Sequence, residues 1–436
     1  MRNQSHTRNL FFHCALIVSA GVATALAPAG KAQALTFRTL HSFCKTANCG
    51  DGETPRDGLV MDAPGNLYGT TEDGGKYGFG VAFKLVPNAT KTKYTEHILK
   101  SFCADAGCPD GKTPQGELIM DVDGALYGAA ASGGKFGGGV IFKLKPVTDG
   151  WQISVVHSFC ANTNCTDGAE PITGLAYAGQ ASGAPWDKSS PLFGTTYLGG
   201  TRDKGTAYQL SPNGSGWTYK VLHSFDSPNT SANPRPLLVD LSGNLFGVTN
   251  IGGMYGYGSL YRLAAGTWNE SVLHNFCAEP NCTDGAYGEG RLVMDAAGNL
   301  FGVALEGGTY GLGFGGVVFE RPAGGGYQVI YNFCGDACRD GEFPEAGLVM
   351  DAVGNFFGTT GFGGKDDNGT VYKLSFDSGT QQWTESVLVL FCHKHACTRG
   401  RIPYAPLILD ASGNLLGTNS AGGANGNGGT VFELTP

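Results

Sequence analysis

Short apolar runs bounded by glycine, asparagine and aspartate follow one another along the chain, four to a repeat. In the first repeat these runs, called A to D in chain order, are Gly58–Asp62, Asn66–Thr71, Gly80–Leu85 and Tyr94–Phe102. Short runs rich in Val, Ile, Phe and Tyr predict β-strands. Because no later stretch keeps a helical period, the pattern predicts an all-β protein.

Run D ends in a phrase that occurs seven times, first as LHSFC at Leu40–Cys44. A near-constant period of 51 to 66 residues between these phrases is typical of propellers and solenoids. The phenylalanines of the phrase are Phe43, Phe102, Phe159, Phe225, Phe276, Phe333 and Phe391.

The two ends of the repeat series complement each other. The last repeat stops after its run C, Gly429–Leu434, whereas Thr36–Phe43 is a run D that has no A, B or C before it. Pairing the two would close a ring without an orphan sheet edge. We therefore predict a seven-bladed β-propeller of four-stranded blades, with the N-terminal strand completing the last blade. The predicted blades cover residues 57–102, 116–159, 174–225, 235–276, 290–333, 346–391 and 405–434.

The links between strands divide between two faces of such a propeller. The D–A links, which hold most of the cysteines, and the B–C links, each with a Gly-Gly pair, emerge on one face. The A–B links, such as Asp62–Asn66, emerge on the other face, and their aspartates suit tight Asx turns. Since binding residues concentrate on loops of a rigid scaffold, we expect ligands on the first face.

Residues 1–34 have the composition of a secretory signal. Two arginines precede the mostly apolar Leu10–Ala27, and Ala32–Ala34 fits a cleavage site. A membrane anchor is the alternative. We expect residues 35–436 to form one exported propeller in the periplasm or outside the cell, without a transmembrane segment in the mature chain.

Charge argues against one class of partner. The formal net charge is −8, and removing three basic residues and no acids with the signal leaves −11. A nucleic-acid-binding protein needs a basic surface, so we expect no nucleic acid among the partners. We expect a monomer.

The cysteines that follow the signal form six local pairs. An even count in an exported chain predicts disulfides, whereas zinc would need two pairs brought together, usually at a shorter spacing. Each bridge closes a very small loop, so its role would be to fix the shape of that loop. The pairs are Cys44/Cys49, Cys103/Cys108, Cys160/Cys165, Cys277/Cys282, Cys334/Cys338 and Cys392/Cys397.

Three stretches carry a family resemblance: LYGTT with the following GVAFKL at Leu67–Leu85, Asn355–Leu374, and Asn414–Leu434. They resemble the GloVer tandem repeat of bacterial exported proteins with a choice of C-terminal anchor. The resemblance covers nearly all of residues 35–436 and implies an exported, propeller-like protein, without implying an activity. The chain ends in GTVFELTP with no sorting tail, so we do not expect the anchor.

Function in a ring of similar blades is expected where the repeat is broken. The seventh D–A link has Arg399 in place of the usual aspartate and adds four more basic or histidine residues, a set suited to an anion or a metal. A solvated variable loop is the alternative. The fourth D–A link, Asp226–Pro236, has no cysteine and suits a mobile flap or simple drift. The candidate binding residues of the seventh link are His393, Lys394, His395, Arg399 and Arg401.

Aromatic residues supply a second set of candidates. Tyr77, Tyr255 and Tyr257 follow Gly-Gly pairs in B–C links. Trp186 lies in an insertion of the third blade, Gly179–Pro191, on the opposite face. It could stack on a sugar, although a single tryptophan is more often packed inside.

Three functions remain open. The first is a binding scaffold for a glycan, a peptide or an envelope protein. The second is a propeller enzyme, a metal-assisted lyase or a lactonase or other hydrolase, acting in the central channel. The third is a purely structural surface protein. Channel positions at the start of the A strands are expected to be mostly Gly, Ala, Pro and Arg, as at Gly58, Gly116, Ala346 and Ala405, which favours binding.

No catalytic residue stands out, and we expect neither a metal nor another cofactor. Calcium needs six or more oxygen ligands, and one aspartate per bridged loop supplies too few. The recurrent loop aspartates are therefore assigned to turn capping.

Overall fold

The computed structural model describes residues 35–226, 231–335, 337–392 and 397–435. Seven antiparallel sheets follow one another along the chain and form a seven-bladed β-propeller. The described residues contain no α-helix, only short 3-10 turns. The predicted fold is confirmed.

Strand lengths follow one scheme, with a short inner strand A and longer outer strands. The first blade has β2 (Val60–Met61), β3 (Leu67–Thr71), β4 (Val81–Pro87) and β5 (Tyr94–Ser101). The second has β6 (Lys112–Met120), β7 (Leu126–Ser132), β8 (Val140–Val147) and β9 (Gly150–Ser158). The third has β10 (Leu192–Thr196), β11 (Thr206–Asn213) and β12 (Gly216–Ser224). The fourth has β13 (Ser231–Pro234), β14 (Leu238–Val239), β15 (Leu245–Gly252), β16 (Ser259–Leu263) and β17 (Glu270–Asn275).

The remaining blades repeat the scheme. The fifth has β18 (Ala286–Met294), β19 (Leu300–Glu306), β20 (Val317–Arg321) and β21 (Gln328–Asn332). The sixth has β22 (Val349–Met350), β23 (Phe356–Thr360), β24 (Thr370–Asp377) and β25 (Gln382–Leu390). The seventh has β26 (Ile408–Leu409), β27 (Leu415–Asn419), β28 (Thr430–Thr435) and, as its outer strand, β1 (Thr36–Ser42). The 3-10 turns are Ala47–Cys49, Thr163–Cys165, Gln180–Ser182, Pro280–Cys282 and Gly308–Tyr310.

The N-terminal strand closes the ring as predicted. Strand β1 pairs antiparallel with β28, with Phe37 opposite Leu434, and the Arg38 guanidinium donates to the Glu433 carboxylate across the pair. Phe43, just after β1, is fully buried in a cluster that includes Phe83 of the first blade. The first and last strands of the described chain therefore share one blade and one core.

Strand B carries a glycine at its centre because an aromatic ring of strand C lies over it. A Cβ at Gly69 would lie 2.7 Å from Cζ of Phe83, closer than packed carbons approach. The other six strand B glycines face Phe142, Tyr208, Tyr261, Phe319, Tyr372 and Phe432 in the same way. These rings are fully buried and form the core between neighbouring blades.

The A–B turns are Asx turns, as expected. The Asp62 carboxylate accepts the N–H of Asn66 at 2.8 Å, and Gly65 between them has a φ of 90°. The third blade departs from the scheme, because a single bridge between Ala176 and Phe193 replaces its strand A. The sequence pattern did not predict this reduction.

The bridged loops and the Gly-Gly links meet on one face. The carbonyl of Cys49 accepts the N–H groups of Gly52, at 2.8 Å, and of Gly75, at 2.9 Å. All six expected disulfides are present, and all twelve of their cysteines have a positive φ, between 49° and 70°. Because positive φ is costly for residues other than glycine, each disulfide holds a loop in a shape that its backbone would not otherwise favour.

The bridged loops are less open to solvent than links on a binding face are expected to be. Cys108, which is bonded to Cys103, is only 8% exposed, and its carbonyl accepts the N–H groups of Gly111 and Gly134. It is buried because Gly133 of the Gly-Gly link lies over it, so that a Cβ on that glycine would come within 3.2 Å of the Cβ of Cys108. Cys108 therefore departs from the picture of an exposed loop residue and belongs to the packing beneath the face. The other buried cysteines are Cys282 and Cys334.

No helix among the described residues is long and apolar enough to cross a membrane. The fourth D–A link is described only in part. Its second half, Ser231–Pro234, is strand β13 and pairs with β15, so this half is part of a sheet. Residues 227–230 lie outside the described chain.

Candidate functional site: the mouth of the central channel

A backbone hydrogen bond joins each blade to the preceding one just before strand A. The donor is the N–H of a loop residue with a φ between 54° and 61°, and the acceptor is a carbonyl in the B–C link of the preceding blade, at 2.7–3.0 Å. In six of the seven blades a proline follows the donor, and its ring packs on a glycine of the preceding blade. This junction sets the direction in which the next three residues enter the channel. The seven donors are Thr54, Thr113, Glu170, Asn233, Tyr287, Phe343 and Ile402.

Those three residues of each blade line a central cavity of 420 Å³. The cavity lies at the beginning of the A strands, with Asn250 and Leu305 contributed from the B strands β15 and β19. It is therefore on the same face as the bridged loops and the B–C links. Its polar side chains are Arg56, Asp57, Gln115, Glu117, Thr173, Arg235, Asn250, Glu289, Arg291, Glu345 and Tyr404.

Three arginines of the cavity pair with carboxylates. Arg235 donates to Glu289 of the next blade, and Glu289 also accepts the side-chain amide of Asn250 at 2.7 Å. Glu289 is only 9% exposed, so the arginine compensates a buried charge.

The other two pairs also join different parts of the ring. Arg291 lies 3.0 Å from Glu117, although these residues belong to the fifth and second blades. Arg56 lies 3.7 Å from Glu72, which also accepts the side-chain amide of Gln115. The three pairs leave the arginines of the cavity electrostatically matched.

Two further carboxyl groups have no arginine partner at salt-bridge distance among the described residues. Asp57 accepts the N–H of Gly116 at 2.7 Å and the hydroxyl of Thr70 at 3.3 Å. Burial raises the pKa of Asp57 to about 7, with the nearby Glu72 and Glu117 adding to the effect. Burial also raises the pKa of Glu345 to about 7, followed in size by the negative charge of Glu289. Both groups therefore change protonation near neutral pH.

Aromatic rings flank the arginines at the mouth. The Arg56 guanidinium lies 4.6 Å from the ring centre of Tyr404, and that of Arg235 lies 5.7 Å from the ring centre of Tyr197. Such cation–π contacts orient both partners. The mouth therefore presents charged, amide and aromatic groups within one cavity.

The expectation for the channel was incomplete. Gly58, Gly116 and Ala346 do line it, but carboxyl groups lie beside them at Asp57, Glu117 and Glu345. These acids come immediately before or after the positions that the sequence analysis assigned to the channel. A signal was available: the residue after the loop proline changes chemical class from blade to blade, whereas its neighbours repeat.

Three of the predicted binding residues are in B–C links on the same face as the cavity. Tyr77 is 37% exposed and Tyr255 is 47% exposed. Tyr257 is half-buried, with its ring centre 5.5 Å from that of Tyr287. Further exposed apolar side chains of these links are Phe79, Phe136, Met254, Tyr310, Leu312 and Phe314.

Trp186 is packed inside, so it has no ring face to offer a sugar. It is 1% exposed and lies between Tyr127 and Trp217, at ring-centre distances of 5.2 Å and 5.7 Å. Its backbone carbonyl accepts the N–H of Val122, which fixes the insertion against the A–B turn of the second blade. The packed alternative is correct for this residue.

The seventh link is described only from Cys397 onward, and His393, Lys394 and His395 lie outside the described residues. Arg399 is exposed, with its guanidinium 5.3 Å from the ring centre of Phe37. Arg401 donates to the side-chain carbonyl of Asn427 at 3.2 Å. Neither arginine lines the central cavity.

Seven similar blades, a closing N-terminal strand and a charged channel mouth define a tandem-repeat β-propeller. The Gloeobacter/Verrucomicrobia repeat matches the chain three times, over residues 18–184, 178–339 and 281–436. The chain belongs to this repeat family. No curated protein sequence matches it at a significant level.

Solved propellers resemble the chain only distantly. A protein from Lactobacillus plantarum is 14% identical, with a TM-score of 0.43, over 77% of this chain and 85% of that one. A luciferin-regenerating enzyme is 14% identical, with a TM-score of 0.41, over 92% of this chain and 95% of that one. Likenesses at this level carry no information about what this chain binds.

Proposed function

We propose that this protein is an exported binding propeller that takes the end of a glycan into the mouth of its central channel. The observation that carries the proposal is the mixture of groups in the 420 Å³ cavity, whose volume lies within the usual range for small-molecule sites. Six disulfides fit an exported protein, because such bonds persist in oxidising compartments.

The charge balance of the cavity favours a neutral ligand. The three arginines are matched by Glu72, Glu117 and Glu289, and the remaining acids, Asp57 and Glu345, have a pKa of about 7. An anionic ligand would need unmatched arginines, and a cationic ligand would need unmatched carboxylates. A polyhydroxyl ligand needs neighbouring donors and acceptors, which paired arginines, carboxylates and amides supply.

The surrounding loops support the same ligand class. Tyr77, Tyr255 and Tyr310 are exposed on the face where the cavity opens. Exposed aromatic rings provide flat apolar surfaces with a polar edge, which suit the apolar faces of sugar rings. A glycan longer than its bound end would cross these loops.

The experiment is a glycan array with the disulfide-bonded propeller, followed by calorimetry on the strongest ligand. We expect Arg56→Met and Tyr404→Ala each to weaken binding at least tenfold, and Tyr255→Ala to weaken only the longer glycans. Lys188→Met, which changes an exposed residue outside the cavity, is the matched control and should bind like the wild type. An array without ligands, or binding that survives both cavity substitutions, would contradict the proposal.

A second candidate is a hydrolase, favoured by the pKa values near 7 of Asp57 and Glu345. A general acid is most effective when its pKa lies near the working pH. The test is turnover of a panel of chromogenic glycosides, lactones and esters. An enzyme would show activity that Glu345→Gln reduces at least a hundredfold, with a pH profile that inflects near 7.

A further inference from the structure

A recurrent cluster lies between the outer strands of neighbouring blades, away from the channel. It combines one residue near the end of an outer strand, the loop residue two positions after the second cysteine, and one residue of the next outer strand. Where the seventh blade meets the first, these residues are His41 on β1, Asp51 in the first bridged loop and Glu96 on β5. We call this the closure cluster.

The closure cluster has the dimensions of a metal site. One ligand atom from each residue lies within 4.8 Å of the others, and Nε2 of His41 is 3.4 Å from Oε2 of Glu96. Two ligands of a tetrahedral zinc ion, each about 2.0–2.1 Å from the metal, lie roughly 3.4 Å apart. The histidine and glutamate are therefore already spaced like two ligands of one ion.

The cluster is buried and has unsatisfied atoms. The side chains of His41 and Glu96 are 10% and 13% exposed, and Asp51 is 5% exposed. Nε2 of His41 and Oε1 of Glu96 have no hydrogen-bond partner among the described residues. A buried polar atom without a partner is costly, and a bound cation would satisfy both atoms.

The third residue is held in place by its own loop. Oδ2 of Asp51 accepts the N–H of Lys45 at 2.9 Å, and Oδ1 accepts the N–H and the hydroxyl of Thr46. Such outer contacts orient a metal ligand without using all of its lone pairs. Two carboxylates and one imidazole also match the charge and ligand preference of a divalent transition metal.

We propose that His41, Asp51 and Glu96 bind a divalent transition-metal ion of the zinc class. The ion would connect the N-terminal strand, the first bridged loop and the outer strand of the first blade. It would therefore fasten the ring at the point where its two ends meet. The two cysteine-containing clusters of similar size are different, since their sulfurs are held in disulfides.

Other junctions provide matched comparisons. At the fifth blade, His274 lies 2.8 Å from Asp284, but the third position is Tyr327, whose ring stacks on the imidazole at 3.6 Å. At the third blade, Tyr219 stacks in the same way on His157. Within the described parts of the chain, the set of histidine, loop aspartate and glutamate occurs only at the closure cluster. Tyrosine at position 96 is therefore a substitution that the fold already uses elsewhere.

The test is calorimetric titration of the chelator-treated, disulfide-bonded protein with Zn²⁺, together with melting curves and the visible spectrum of the Co²⁺ form. We expect one ion per chain, a melting temperature that rises by several degrees with saturating Zn²⁺, and a tetrahedral Co²⁺ spectrum. Glu96→Tyr should abolish all three while folding normally, and Glu96→Gln should weaken binding at least tenfold.

His393→Ala combined with His395→Ala is the control, because these histidines are the other candidate ligands in the sequence. This double variant should bind Zn²⁺ like the wild type. The proposal is overturned if the wild type binds no Zn²⁺, if Glu96→Tyr leaves the affinity unchanged, or if the double variant is the one that loses binding. Failure here leaves the channel proposal untouched, since no cavity residue is involved.

Discussion

The ring of Pro55 lies against the backbone of Gly429, so the first blade meets the seventh through a proline and a glycine. The N–H of Thr54, beside this proline, donates to the carbonyl of Gly428 at 3.0 Å. The same pair of contacts recurs around the ring, for example between Pro114 and Gly80. The glycine before strand C is thus fixed by the next blade rather than by its own.

The first prediction follows from this contact. Gly429→Ala should destabilise the protein by about 3 kcal/mol, because the new Cβ would clash with Pro55 and with the carbonyl of Asn419 at a φ of 95°. Gly426 has a similar φ of 105° with nothing within 4 Å of a Cβ, so Gly426→Ala should cost only about 1 kcal/mol. Urea unfolding measures both. Equal losses would show that the interblade contact has no energetic role.

The second prediction concerns ring closure. Removing residues 36–43 takes away the outer strand of the seventh blade and the fully buried Phe43. The exposed edge of β28 would then be free to pair with other chains. We expect loss of cooperative unfolding and aggregation in size-exclusion chromatography, relative to a chain that begins at Leu35. A truncated protein that stays monomeric with an unchanged melting temperature would contradict the closed ring.

The blades could be predicted because their signals are local. Alternating apolar runs, Asx turns and strand B glycines recur at fixed offsets, and the run D at Thr36–Phe43 has no other blade to complete. The charges of the channel were less accessible. They depend on a positive φ at residues such as Thr54 and on the register of the following three residues, neither of which a repeat pattern specifies.

Packing across blades was the other limit. Trp186 is buried because Tyr127 of the second blade and Trp217 of the third enclose it, and neither contact is visible in the sequence around the insertion. Arg399 occupies the position of the loop aspartate, but its neighbour is Phe37 instead of a histidine or tyrosine. Its exchange for aspartate thus accompanies a change in the strand at the other end of the chain.

The third prediction concerns the buried pair of the channel. Arg235→Met should cost about 3–5 kcal/mol, because Glu289 would be left buried without its partner. The double variant Arg235→Met, Glu289→Met should recover most of this loss, since it removes both charges. Chemical denaturation of the two single variants and the double variant gives the coupling. Lys188→Met breaks an exposed pair with Asp123 and should leave the melting temperature nearly unchanged; additive losses at 235 and 289 would argue against the pair.

The fourth prediction is a pH dependence set by Glu345. Burial raises the pKa of its carboxyl to about 7 in the folded protein, above the unfolded value of about 4.3. The folded state therefore binds the proton more tightly, and this contribution to stability is complete below pH 4 and is lost as the pH rises to 7. Glu345→Gln should flatten the stability of the protein between pH 4.5 and 7.5 relative to the wild type, as measured by urea unfolding at several pH values. Carbon-detected NMR of the side-chain carboxyls should show a titration near pH 7 that disappears in Glu345→Gln. If the two proteins have parallel stability profiles, the carboxyl is not held neutral in the channel.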